Sequence, residues 1–151
     1  MKSRRRVNSA VRLQSLTMRL EGDNSLLELE RSELGSPDMP GDRDVLLNVT
    51  ARVASYSAAD QAWIVDTELN RFIAELRDLE ARRQGQATLS GALADDLRLE
   101  FYSTDSLGHP AVRGHLGFNN PNGFLLQLRF GFDFESDRLP ALLRFFETLR
   151  D

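Results

Sequence analysis

From Phe124 to Ser136 the chain reads "FLLQLRFGFDFES", and every even-numbered residue from Phe124 to Phe134 is Phe or Leu. The odd positions from Gln127 onward carry Gln127, Arg129, Gly131, Asp133 and Glu135. Alternation at period two sends successive side chains to opposite faces, so the segment predicts a β-strand with one face in a core and the other in water. The even residues are expected to build the fold, which leaves the odd ones available for binding.

Other segments repeat the pattern. Leu16, Met18 and Leu20 alternate with Thr17 and Arg19, Leu27 and Leu29 with Glu28 and Glu30, and the run Val45 to Val53 carries Val45, Leu47, Val49, Ala51 and Val53 on one face. Between the second and third lies "GSPDMPGD", Gly35 to Asp42, a Pro/Gly/Asp stretch expected to be an exposed, mobile loop. The period changes from Asp66 to Arg83, where Leu69, Phe72, Ile73, Leu76 and Leu79 fall at helical spacing. Asp66 or Thr67 is the expected cap, Gly85 the expected C′ residue, and Arg71, Glu75, Asp78 and Arg82 a solvated face of i,i+4 pairs. Four strands follow: Ala87 to Leu93, Leu97 to Ser103, Val112 to Phe118 and the opening segment. Links such as "NNPNG" at Asn119 to Gly123 predict antiparallel hairpins. A second helix is expected from Asp137 to Leu149, with Pro140 in its first turn and Leu139, Leu142, Leu143, Phe146 and Leu149 on one stripe.

One-sided strands and amphipathic helices together predict an α+β fold. Its expected form is a single antiparallel sheet of six to seven strands with two helices packed on one face, in the order βββ-α-ββββ-α. Residues 1–12 read as a basic, disordered arm and residues 13–151 as one domain, because 151 residues suffice to bury roughly 70% of the unfolded surface without a staple. There is no Cys, which excludes disulfides, thiolate metal sites and thiol nucleophiles and fits a reducing compartment, so a cytoplasmic location is expected. No run of about 18 apolar residues is present to span a membrane.

The formal charge of −4 hides an asymmetry. Residues 1–20 hold six basic and no acidic residues, so the remainder holds 13 basic against 23 acidic, a net of −10. Such a surface repels nucleic acid and steers a basic partner inward.

No Gly-rich phosphate loop, G-x-S-x-G, H-E-x-x-H or C-x-x-C motif occurs. The two histidines, His109 and His115, are poorly spaced for a metal. Neither catalytic, cofactor nor metal residues are assigned. The outward side of the second group of strands is more informative. A hairpin that sets Phe118 opposite Phe124 would place His115 against Gln127 and Arg113 against Arg129. Opposed arginines repel, so an anion is expected close by. Either Glu100 or Asp133 supplies it within a surface charge ladder, or the face formed by Arg98, Glu100, Tyr102, Arg113, His115, Gln127 and Arg129 docks a partner. Gly117 and Gly131 on the same side are expected to leave shallow notches.

The chain from about Leu26 to Leu149 resembles the WapI-type family of bacterial immunity proteins. The likeness rests on "LLELE" at Leu26 to Glu30, "WIVDTELNRFIAELRDL" at Trp63 to Leu79, "LSGAL" at Leu89 to Leu93, "LRLEFY", and the closing "LQLRFGFDFESDRLPALLRFFETL". The resemblance implies a cytoplasmic, non-enzymatic protein that neutralises a cognate toxin, for which the acidic body suits a folded, basic toxin domain. It transfers no site residues. A secretion chaperone or other protein-binding adaptor shares the small, acidic, Cys-free character, and a small-molecule binding domain would need a concave apolar pocket.

Overall fold

A computed structural model of the chain describes residues 16–35, 43–93, 95–119 and 121–151. The basic arm and the interior of the Gly35 to Asp42 loop lie outside the described residues. The alternating segments form β1 (Thr17–Gly22), β2 (Ser25–Leu34), β3 (Val45–Val53) and β4 (Tyr56–Ile64), followed by helix α1 (Asp66–Arg82). Strands β5 (Gln86–Ser90), β6 (Leu97–Ser103), β7 (Pro110–Asn119) and β8 (Leu125–Asp133) come next, then a 3-10 turn (Ser136–Arg138) and helix α2 (Leu139–Glu147).

These strands make two four-stranded antiparallel sheets, β1-β2-β3-β4 and β5-β6-β7-β8, and not the single sheet of six to seven strands expected from the sequence. The α+β class stands. The correction begins at β4, "YSAADQAWI", which the alternation argument passed over. Its inward residues Ala58 and Ala62 are small, and Ser, Ala and Asp are weak strand formers. The turn before it also lacks the usual signal, since Ala54 takes a positive φ of 55° where Asn or Gly is expected. Ala54 N–H donates to the Asn24 carbonyl at 2.9 Å, so the β3–β4 turn is held by the β1–β2 turn beside it. With β4 in place, the first hairpins form a complete sheet of their own.

The inner faces of both sheets and both helices share one core. Leu20, Leu27, Leu47 and Val49 come from the first sheet, Leu89, Leu99, Phe101 and Val112 from the second, and all are essentially inaccessible. Helix α1 buries Leu69, Phe72, Ile73, Leu76 and Leu79, the residues its spacing predicted. Phe72 lies edge-on to Phe146 of α2, with centroids 4.7 Å apart, and tilted against Phe101 of β6 at 5.9 Å. Such ring pairs add about 0.5–1.5 kcal/mol beyond their burial. Phe72 thus joins both helices to the second sheet.

Helix α1 is capped from outside itself. Val65 occupies the N-cap without a side-chain bond, and Asp44 Oδ1, just before β3, accepts from Asp66 N–H at 2.9 Å. At the other end Arg83 is the left-handed C-cap, its N–H reaching the Leu79 carbonyl, and Gly85 two residues on also takes a positive φ of 97°. The expected surface pairs are present: Arg71 contacts Glu75 at 2.7 Å and Arg82 contacts Asp78 at 3.0 Å. Part of this charged face also protects a sheet edge. Glu75 Oε1 accepts from Thr88 N–H at 3.0 Å, and Glu68 Oε2 from Ser90 N–H at 2.9 Å, which occupies donors on edge strand β5 that are otherwise open to another chain.

The last strand crosses the open end of the first sheet. Its start lies beside Ser57 to Asp60 of β4, and its end meets the β1–β2 turn, where a Cβ on Gly22 would sit 2.6 Å from the Asp133 carbonyl. Only part of the even-numbered series is therefore covered. Phe134 is buried and Leu128, Phe130 and Phe132 are half-buried, whereas Phe124 is 69% and Leu126 64% exposed. The expectation that every even residue of this strand builds the core is corrected for Phe124 and Leu126, which run beyond the first sheet's edge.

Candidate functional site

Strands β6, β7 and β8 turn a polar face outward, and their register decides which charges meet. Arg98 pairs with His115 and Glu100 with Arg113 across β6 and β7; His115 pairs with Arg129 and Arg113 with Gly131 across β7 and β8. The expected opposition of Arg113 to Arg129, and of His115 to Gln127, does not occur. Phe118 faces Leu126 instead of Phe124, which displaces β8 by two residues and keeps its faces while changing its partners.

Glu100 is the hinge of the arrangement. It is 8% exposed, and its Oε1 accepts from Arg113 Nε at 2.6 Å and contacts a terminal nitrogen of the same guanidinium. Arg98 stands 3.7 Å from Glu100 Oε2. The Arg113 guanidinium lies 4.2 Å above the Tyr102 ring and is held above its ordinary pKa range, first by the Glu100 hydrogen bond and then by the charge of that carboxylate. Glu100, and not Asp133, thus supplies the anion that the sequence called for. This first row is satisfied internally.

The next row is not. Arg98, His115 and Arg129 lie side by side across three strands, so that two guanidinium-bearing residues flank the imidazole. Arg129 is exposed and has no hydrogen bond or ion pair among the described residues. His115 Nε2 is enclosed and likewise lacks a partner. Both rows open onto a cleft of about 290 Å³ lined by Arg98, Glu100, Arg113, Gly114, His115, Arg129 and Phe130.

Five of the seven candidate residues therefore converge. Tyr102 stands apart beneath Arg113, and Gln127 belongs to the neighbouring cleft of about 360 Å³ between β4 and the start of β8, with Leu116, Phe118, Leu126 and Leu128. The notch expected at Gly117 is already filled, because a Cβ there would overlap the Asp95 carbonyl of the β5–β6 loop. Beside this second cleft are large exposed apolar side chains that sequence reasoning assigned to the core or passed over: Phe118, Phe124, Leu125 and Leu126. The signal for them was the unbroken "FLL" at Phe124 to Leu126, where alternation had not yet begun.

Among the described residues no three His, Asp or Glu side chains come together as metal ligands. No helix among them is long and apolar enough to cross a membrane.

The second sheet thus shows a polar outer face with a partly unmatched cationic row and, on its other face beyond the cover of the first sheet, an exposed apolar patch at Phe118 and Leu126. A sequence model of the immunity protein WapI-like family matches residues 18–149, and the chain belongs to that family. No curated protein and no solved structure matches it.

Proposed function

We propose that the chain neutralises a cognate bacterial toxin by binding it as a folded domain in the cytoplasm, with no catalysis of its own. Membership of a family of immunity proteins supports the toxin as partner. One observation carries the docking surface: the outward cleft around Arg98, Glu100, Arg113, His115 and Arg129 presents an exposed arginine, Arg129, that has no partner among the described residues. Arg and Tyr are enriched in protein interfaces, and Tyr102 lies under Arg113 at the edge of this cleft. The net charge of −10 over residues 21–151 favours a toxin that is basic overall, drawn in by long-range attraction.

The test is binding to the polypeptide encoded upstream of this gene. The wild-type chain is expected to form a stable complex with it. Arg129→Glu is expected to weaken that complex at least tenfold while leaving melting unchanged. Unchanged affinity would move the interface to another surface.

A further inference from the structure

The satisfied and unsatisfied rows of the second sheet differ in what they need. Glu100 and Arg113 complete one another, and Gly131 opposite Arg113 adds no charge. In the next row Arg98 leans toward Glu100 at 3.7 Å, beyond hydrogen-bond distance, so that carboxylate is largely committed to Arg113. Among the described residues Arg129 on the other flank has no partner, and the enclosed His115 Nε2 between them has none either. An enclosed polar atom without a partner is costly unless a ligand completes it.

We propose that the row Arg98, His115, Arg129 receives a side-chain carboxylate, an Asp or Glu of the toxin, as the polar anchor of the complex. The inference rests on the toxin-binding reading above. Guanidinium groups flank the site and suit a planar carboxylate, which accepts two parallel N–H bonds from one of them. The toxin remains basic overall; the carboxylate supplies register and specificity, as charged groups at interfaces do. A lone acid on a basic toxin is also a strong discriminator, since a partner presenting Lys or Arg there would meet like charge.

Two measurements test this. The first titrates the whole chain with succinate, following the side-chain N–H resonances of Arg98, Arg113 and Arg129 and the His115 ring. Saturable shifts are expected at Arg98, His115 and Arg129, absent with chloride at equal ionic strength and absent in Arg129→Gln. No saturable shift, or one that survives Arg129→Gln, would overturn the site. The second measures the Kd of the upstream-encoded polypeptide. Arg98→Gln and Arg129→Gln should each raise it about tenfold, Arg77→Gln on α1 should leave it unchanged, and one Asp→Asn or Glu→Gln on the toxin should couple to Arg129 in a double-mutant cycle. Equal affinity for all variants would defeat the carboxylate anchor while leaving toxin binding intact. Failure of the wild-type chain to bind would defeat the toxin reading, and the succinate titration would still decide the site.

Discussion

Arg31 on β2 and Leu149 beyond the end of α2 are 118 residues apart in sequence and joined by a hydrogen bond of 2.9 Å from Arg31 Nη1 to the Leu149 carbonyl. The same nitrogen reaches the Asp151 carbonyl at 3.0 Å. The guanidinium is buried and stands where the carbonyl end of α2 favours positive charge. Arg31→Met should keep the bulk, lose both bonds, and lower stability by about 2 kcal/mol. Arg31→Lys should recover only part of that, because one ammonium cannot reproduce the planar fork. Denaturant unfolding of both variants checks the order.

The carboxylates of Glu68 and Glu75 occupy N–H donors of Ser90 and Thr88 on the outer edge of β5. Glu68→Ala with Glu75→Ala should speed amide exchange at Thr88 and Ser90 by tenfold or more, with little change at Leu99 in the centre of the sheet. Equal exchange in wild type and variant would mean that water already reaches these amides.

Phe101 and Phe130 lie on neighbouring regions of the second sheet with different surroundings. Phe101 is fully buried between Phe72 and Phe134, whereas Phe130 on edge strand β8 is half-buried. Phe101→Ala should cost about 3–5 kcal/mol, and Phe130→Ala about 1–3 kcal/mol because part of its ring already meets water. Arg129→Ala, next to Phe130 but facing outward, should change stability by about 0.5 kcal/mol or less. Thermal melts of the three rank them.

Asp96, in the β5–β6 loop, has its pKa raised, first by burial and then by the charges of Asp60 and Asp95. A carboxyl group held more tightly protonated when folded stabilises the protein below the ordinary carboxylate range, and that contribution is lost as pH rises through the raised value. Asp96→Asn should therefore melt about a degree higher than wild type at pH 7, with the difference vanishing near pH 3. A variant that gains equally at both pH values would contradict the charge-based cause.

What the sequence disclosed follows from where apolar residues were spaced and large. Phe72, Leu76 and Leu79 announced α1, and Leu97, Leu99 and Phe101 announced β6. Alternation, however, reports that a strand has two faces without saying which strands share hydrogen bonds, so two sheets over one core looked like one. Strand β4 hid behind alanines and a turn at Ala54 that relies on Asn24. At the candidate site the outward residues were legible from period two, but their partners depended on the Asn119 to Gly123 loop. A displacement of two residues there set Gly131 instead of Arg129 opposite Arg113 and left Arg129 beside His115. The apolar patch at Phe124 and Leu126 was signalled only by the unbroken "FLL", and its exposure was hidden because nothing in the local pattern says where the first sheet ends.

Growth in the presence of the toxin tests the central claim most directly. Cells expressing the polypeptide encoded upstream of this gene should stop growing, and co-expression of the wild-type chain should restore growth. The Arg129→Glu variant should accumulate to the same level, melt at the same temperature and fail to protect. A wild-type chain that gives no protection would contradict toxin neutralisation, and an Arg129→Glu variant that protects fully would contradict docking through the second sheet's outer face.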